Sequence, residues 1–276
     1  MSKTTSTRTI PTDDIRNSLS GDRSGPDFHR PPGHPWYSLA YIAGILLGWR
    51  YIVSLTRQKP GMIDEPAIDD LIVWLVLGII LGGRLGYVLF YKPGYYLANP
   101  LEAAYVWQGG MSFHGGAIGV IVALAIFSKK RGIAFLPLAD LVACAAPIGL
   151  FFGRLANFIN GELFGRPSDV RWAMVFPRGG PDARHPSQLY EAFLEGLVLF
   201  FILATLWRFT GLRDRPGALG GAFLLGYGVF RMFVELFREP DAHLGLLIAG
   251  ATMGQLLSLP LIIVGAWLVA SRHKVE

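Results

Sequence analysis

The chain has 276 residues, of which 52% are hydrophobic and only 16% are charged. Soluble domains carry about 25% charged residues, so this composition argues against a soluble protein and indicates a membrane protein. The net charge of +5 is compatible with nucleic-acid binding. Basic residues in the loops of a membrane protein explain it better, and we expect no nucleic acid among the partners. The single cysteine, Cys144, excludes an internal disulfide.

The N-terminal segment 1–34 is polar, rich in Ser, Thr, Asp and Arg, and lacks the apolar run of a cleavable signal peptide. Such a composition predicts a disordered tail without a catalytic role. We expect a single membrane-embedded domain at 35–272 and a short cytoplasmic tail at 273–276.

Seven apolar segments follow, each roughly 20 residues long, which is the length that crosses a bilayer as a helix. They lie at about 37–56, 68–91, 111–128, 136–158, 187–207, 218–237 and 246–270. Segment 159–186 is too long for a tight turn and contains "VRWAMVFP", a candidate short strand. The predicted fold class is all-α, a polytopic membrane protein with about seven transmembrane helices and a small extramembrane cap.

Basic residues in the short loops predict the orientation. They concentrate after the first, third, fifth and seventh segments, and positively charged short loops face the cytoplasm. These residues are Arg57, Lys59, Lys129, Lys130, Arg131, Arg208, Arg213, Arg215, Arg272 and Lys274. We therefore expect the N-terminus and the cap outside and the C-terminus in the cytoplasm.

Polar residues lie within four of these segments or at their ends, where the cost of burying charge in lipid requires a cavity or a partner. In each segment they recur three or four residues apart, so they share one helix face. The groups are Arg84, Tyr87 and Tyr91; Arg154, Asn157 and Gly161; Gln188, Glu191 and Glu195; and Tyr227, Arg231, Glu235 and Arg238. Any one pair is compatible with a structural ion pair, but together they predict a polar, positively biased cavity open to the outer side.

Two arginines near mid-membrane, Arg154 and Arg231, carry permanent charge and planar donor forks that suit a phosphate group. We expect Glu162, Glu191 and Glu235 to hold these forks when no ligand is bound.

His114 lies in "GGMSFHGG", between glycine pairs that allow a ligand or backbone to approach closely. It is a candidate general base because its ordinary pKa lies near neutral pH; a hydrogen-bonded structural histidine is the alternative. A zinc site built from His114, His185 and His243 lacks the usual ligand spacing, and we expect no metal. The sequence also lacks the nucleophile elbow of serine hydrolases.

A lipid or small-anion transporter is an alternative that uses the same arginines. Transporters typically show internal repeats and broken helices in both halves of the chain. The sequence shows neither feature, which favours an enzyme.

Four segments resemble the sequence blocks of bacterial phosphatidylglycerol–prolipoprotein diacylglyceryl transferases, in the order of that family. They are "GGMSFHGG", "GRLANFINGELFGRP", "HPSQLYEAFLEG" and "FRMFVELFREPDAHLG", and the resemblance covers about residues 36–270. It implies a seven-helix enzyme of the bacterial inner membrane with a periplasmic active site and cap. The implied partners are phosphatidylglycerol, the lipid bilayer and a prolipoprotein signal peptide with a lipobox cysteine. The diacylglyceryl group moves to the cysteine thiol, a thioether forms and glycerol phosphate leaves, without a cofactor.

The resemblance also implies roles for individual residues. His114, Arg154 and Arg231 form the predicted catalytic set: His114 takes the proton of the thiol, and the two arginines hold the lipid phosphate. A thiolate stabilised by an arginine is the alternative to His114 as proton acceptor. The predicted substrate-binding residues are Arg154, Tyr37, Asn157, Glu162, Gly165, Glu191, Tyr227 and Glu235, together with Arg84, which we add because it lies inside a span.

Overall fold

The computed structural model describes residues 34–239 and 250–271. The predicted tails, the segment before residue 34 and residues 273–276, lie outside the described residues, as do His243, Arg272 and Lys274. The all-α, polytopic fold class is confirmed, because apolar helices make up most of the described chain.

Eight helices are numbered here in chain order. They are α1 His34–Gln58, α2 Glu65–Phe90, α3 Pro93–Ala98, α4 Phe113–Arg131, α5 Phe135–Ile159, α6 Ser187–Phe209, α7 Ala218–Val234 and α8 Met253–Ala270. Short 3₁₀ turns, Pro100–Ala104 and Val106–Gln108, connect α3 to α4, and another, Gly211–Asp214, follows α6. Six of the helices are long and apolar enough to cross a bilayer: α1, α2, α4, α5, α6 and α8.

Helix α7 corresponds to the sixth predicted segment and is shorter, with 17 residues. The backbone before and within its first turn binds Asp140 near the start of α5, whereas Arg231 in its last turn binds Glu191 near the start of α6. Its two ends therefore lie at opposite ends of the bundle. At 1.5 Å per residue the helix is about 26 Å long, slightly less than the hydrocarbon core of about 30 Å.

Glycines allow α2 and α4 to pack with their backbones in contact. A Cβ atom on Gly78 would lie 2.6 Å from the carbonyl oxygen of Gly119, and a Cβ on Gly86 would lie 2.8 Å from the Cα of Gly115. Small residues of this kind permit close helix packing in membranes. The Ser112 amide donates to the Gly83 carbonyl at 2.9 Å, so the start of α4 is fixed against α2.

The segment between α5 and α6 forms the expected cap. Its two short strands, β1 (Met174–Val175) and β2 (Ala183–Arg184), pair antiparallel. The strand predicted within "VRWAMVFP" is thus confirmed for two residues. A further bridge joins Gly165 to Arg238, which ties the cap to the chain that leaves α7.

Replacing Asp140 by alanine is expected to destabilise the bundle. The Asp140 carboxylate accepts hydrogen bonds from the Gly217 and Gly220 amides at 2.8 and 2.6 Å, so it caps α7 from a neighbouring helix. Losing a cap costs about 1–2 kcal/mol, and thermal unfolding in detergent should show a lower midpoint. Asp64→Ala is the matched control, since Asp64 precedes α2 without a side-chain cap bond. An equal midpoint for both variants contradicts the capping role of Asp140.

Candidate functional site

Three arginines and three glutamates meet where α5, α6 and the end of α7 converge. We call this group the Arg–Glu cluster; it comprises Arg154, Arg231, Arg238, Glu191, Glu195 and Glu235. Glu191 lies at its centre and is fully buried. One carboxylate oxygen of Glu191 lies 2.6 Å from Nε of Arg154 and 3.2 Å from Nη1 of Arg231. Its other oxygen lies 3.7 Å from Nη1 of Arg238.

Arg231 bridges two carboxylates with its fork. While Nη1 faces Glu191, Nη2 lies 2.6 Å from Glu235. The side chains of Arg154 and Arg231 are 15% and 13% exposed, whereas those of the three glutamates are 0–5% exposed. The arginines therefore form the accessible side of the cluster, and the carboxylates lie behind them. Burial, and next the positive charge of Arg231, lower the pKa of Arg238.

The first part of α6 supplies the buried carboxylates. Gln188, Glu191 and Glu195 are all fully buried, which confirms the prediction that they share one helix face. Residues Ala192–Val198 form a π-helical turn, and such turns are frequent at functional sites. Glu195 lies within this turn, and the sequence pattern did not indicate a π-helical turn here.

The start of α8 adds a residue that sequence reasoning did not single out. The hydroxyl of Thr252 donates to Glu235 at 2.7 Å and accepts from the Gln255 amide at 3.2 Å. The Gln255 side chain in turn accepts from the Thr252 amide, which completes a capping box. The Thr-x-x-Gln spacing is the sequence signal that would have located this helix start, although not its contact with Glu235.

Replacing Thr252 by valine is expected to lower kcat/KM about 10-fold, because losing a buried hydrogen bond costs roughly 1.4 kcal/mol. Glu235 would lose the hydrogen bond from Thr252 and would orient Arg231 less firmly. Thr252→Ser should restore the rate, since the hydroxyl returns. Thr210→Val is the control, because Thr210 makes the same kind of cap bond at the other end of the bundle. If serine fails to rescue, the hydroxyl does not position Glu235.

A second group links α1, the end of α5 and the cap; we call it the tyrosine group. Asn157 donates to the Tyr37 hydroxyl, which donates to Glu162 at 2.8 Å, and Arg178 binds the other oxygen of Glu162 at 2.9 Å. The expectation that Glu162 holds Arg154 is therefore wrong. The cap folds back and presents Arg178 to Glu162 instead.

The turn after α5 has an unusual backbone. Gly161 and Leu163 have φ angles of +63° and +56°, in the left-handed region that is costly for a leucine. The side chains of Ser187 and Gln188 hold this turn by donating to the carbonyls of Leu163 and Glu162 at 3.1 and 2.5 Å. The chain therefore turns tightly at Gly161 as it enters the cap.

Gly165, predicted to bind substrate, has a packing role in the structure. A Cβ atom there would lie 2.5 Å from the Phe237 carbonyl and 2.7 Å from the His185 carbonyl. Only a residue without a side chain lets the cap approach the chain beyond α7 so closely.

Arg84, also predicted to bind substrate, holds the loop before α4. It is only 4% exposed, and its guanidinium donates to four backbone carbonyls at 2.5–3.3 Å. These belong to Glu102, Ala103, Gly109 and Gly110. With its donors used in this way, Arg84 acts on the site by fixing the loop that leads to His114.

Two predicted residues, His114 and Tyr227, are not members of the Arg–Glu cluster or of the tyrosine group. His114, the second residue of α4, is exposed and lies edge-on to Phe113, with ring centroids 5.8 Å apart. In the part of the chain that the structure describes, no hydrogen bond or ion pair joins its side chain to another residue. Tyr227 stacks on Phe223 at 5.9 Å and interacts electrostatically with Glu195. His185 contacts the Tyr190 hydroxyl at 3.1 Å.

Comparisons with known proteins concern most of the chain. Residues 33–271 match the family model described as prolipoprotein diacylglyceryl transferase. Three similar relatives carry the name phosphatidylglycerol–prolipoprotein diacylglyceryl transferase. The protein of Paramagnetospirillum magneticum is 64% identical over 236 residues, covering 85% of this chain and 88% of the relative. Those of Azospirillum brasilense and Rhodospirillum rubrum are 59% and 60% identical, each over 87% of this chain and over 90% and 89% of the relative.

Proposed function

Because the chain belongs to the prolipoprotein diacylglyceryl transferase family, we propose that it transfers the diacylglyceryl group of phosphatidylglycerol to the lipobox cysteine thiol of prolipoproteins. This is the first step of lipoprotein maturation, and the chain is a transferase. The Arg–Glu cluster carries the proposal. It presents two partly exposed guanidinium groups at one end of a bundle of membrane-spanning helices, where a lipid headgroup is found.

The protein is a multi-pass membrane protein, and we place it in the bacterial inner membrane with its N-terminus in the periplasm and its C-terminus in the cytoplasm. Contacts at the end of the bundle away from the cluster support this orientation. There Lys59 binds Asp214 at 2.9 Å and Arg215 donates to the Val269 carbonyl at 2.7 Å. Basic residues mark the cytoplasmic end of a span, so the cluster and the cap face the periplasm.

The proposed reaction is a displacement at carbon. The thiolate attacks the carbon of the diacylglyceryl group that is bonded to the phosphate-ester oxygen. A C–S bond forms, the C–O bond between that carbon and the ester oxygen breaks, and glycerol phosphate leaves. Negative charge grows on the departing phosphate, and Arg154 and Arg231 stabilise it. The nucleophile comes from the substrate, so the buried Cys144 has no part in the scheme, which also needs neither a metal nor a cofactor.

The other predicted residues orient these two arginines or lie beside the substrates. Glu191 and Glu235 orient the guanidinium forks, as their distances of 2.6 Å to Arg154 and Arg231 indicate. We place the tyrosine group and Tyr227 beside the bound substrates, because the tyrosine group lies at the end of α5 that carries Arg154, and Tyr227 is one helical turn before Arg231.

An assay with phosphatidylglycerol and a lipobox peptide tests the function. The purified protein should yield a thioether-linked lipopeptide and release glycerol phosphate in equal amounts. If vesicles containing the protein instead move labelled lipid or phosphate without forming a product, the transporter alternative is correct.

His114→Gln is expected to lower the rate of peptide modification about 100-fold near neutral pH. This is the lower end of the range that is typical for losing a general base. A free thiol ionises near pH 8.5, so the variant should recover part of its rate as the pH rises. The rate of peptide modification measured against pH checks this. A full rate at neutral pH would reject His114 as the base and favour a thiolate stabilised by an arginine.

A further inference from the structure

Glu195 is the one carboxyl group of the Arg–Glu cluster to which no hydrogen bond is made by the residues that the structure describes. Its side chain is fully buried, and neither oxygen accepts a hydrogen bond from a described residue. The nearest charges are Nη2 of Arg154 at 3.7 Å and Nη1 of Arg231 at 3.8 Å. Glu191 and Glu235, by contrast, bind these arginines at 2.6 Å.

A buried carboxylate without hydrogen bonds is expensive, whereas the protonated acid is far less so. The groups that face Glu195 come from three elements: Arg154 from α5, Arg231 and Tyr227 from α7, and Glu191 from α6 itself. Arg238 acts from beyond α7. The two nearest arginines direct their short contacts to Glu191 and Glu235, and the negative charge of Glu191 opposes a second charge one turn away.

The position of Glu195 is fixed by packing. The next residue, Gly196, lies so close to α5 that a Cβ atom there would be 2.7 Å from the Cβ of Phe151. Helix α6 is therefore pressed against α5 at this point. Glu195 lies within the π-helical turn beside this contact, so the close packing of α5 and α6 holds its backbone next to the cluster.

The charges of the Arg–Glu cluster cancel if every group is ionised. Three arginines carry three positive charges and three glutamates carry three negative charges, so the sum is zero. A phosphodiester carries one negative charge and needs one net positive charge as its counterpart. The cluster has that charge only if one of its carboxyl groups is neutral.

We propose that Glu195 is a neutral carboxylic acid in the free enzyme, which leaves the Arg–Glu cluster with one net positive charge for the phosphodiester of the lipid substrate. The identity of the anion rests on the proposed function, whereas the protonation state of Glu195 does not. Glu195 is a positioning residue in this scheme, since it acts through Arg154 and Arg231. Ionisation of Glu195 would cancel the net charge and weaken lipid binding.

Infrared spectroscopy of the full-length protein in lipid nanodiscs tests the protonation state directly. At neutral pH the wild-type protein should show a C=O stretching band of a protonated carboxylic acid that Glu195→Gln lacks. Glu65→Gln is the matched control, because Glu65 is exposed and pairs with Arg57; this variant should keep the band. Identical spectra of wild type and Glu195→Gln in this region would overturn the proposal.

The KM for phosphatidylglycerol against pH gives a second readout, which a merely structural role would not change. In the wild type KM should rise as the pH increases from neutral, because Glu195 loses its proton and the net positive charge disappears. In Glu195→Gln this rise should be absent, since glutamine cannot ionise. All other groups of the enzyme and the peptide thiol are the same in both proteins. The same rise in both proteins would contradict the proposal. If no transferase product forms, the proposed function is rejected. The infrared measurement still decides whether Glu195 is protonated.

Discussion

Arg154→Ala and Arg231→Ala are each expected to lower kcat/KM by at least about 100-fold, the loss typical when a group that stabilises transition-state charge is removed. Both guanidinium groups lie on the accessible side of the Arg–Glu cluster, with their carboxylate partners behind them. Lysine should not rescue Arg231, because one ammonium group cannot replace a planar fork that contacts Glu191 with Nη1 and Glu235 with Nη2.

The rates are measured with purified, correctly inserted protein, as judged by gel filtration and thermal unfolding. Arg57→Ala is the matched control: Arg57 is an exposed arginine at the opposite end of the bundle, paired with Glu65. It should retain the wild-type rate. Normal turnover by Arg154→Ala or Arg231→Ala would show that the cluster does not hold the phosphate.

Glu191→Ala is expected to destabilise the fold by about 3–5 kcal/mol, because removing one partner of a buried ion pair leaves uncompensated charge. Glu191 is fully buried and has three arginines within 4.0 Å: Arg154, Arg231 and Arg238. Without it, these arginines repel one another near the convergence of three helices. Glu191→Gln should destabilise the protein less, since the amide keeps one oxygen acceptor and the side-chain volume.

Thermal unfolding in detergent measures this effect. Glu65→Ala is the control, since it removes a carboxylate from an exposed pair and should leave the midpoint unchanged. If Glu191→Ala unfolds at the wild-type temperature, Glu191 does not provide the main counter-charge of the cluster.

The Arg–Glu cluster and the tyrosine group connect different helices of the bundle. The Arg–Glu cluster connects α5, α6, α7 and, through Thr252, the start of α8. The tyrosine group connects α1 to the end of α5 and, through Arg178, to the cap. In the described part of the chain, every long helix except α2 and α4 therefore carries or borders a member of one of the two groups. Helix α2 acts through Arg84, which fixes the loop that leads to His114 at the start of α4.

The sequence by itself determined the fold class, the family and several residues of the Arg–Glu cluster. Bilayer thickness sets the length of an apolar span, so composition and run length identified a polytopic helical protein. The high cost of charge in lipid made Arg154, Glu191 and Arg231 conspicuous. Spacing along α6 correctly placed Gln188, Glu191 and Glu195 on one buried face.

Only the tertiary structure decided which charge faces which. Glu162 binds Arg178 instead of Arg154 because the cap folds back over the end of α5, and Arg84 binds backbone carbonyls because the loop before α4 curls around it. Gly165 matters because it lies between two carbonyl groups from distant parts of the chain. Thr252 contacts Glu235 across 17 residues. The physical reason is common to these cases: helix periodicity relates residues within about four positions, whereas the rotation and packing of separate helices determine every longer-range pairing.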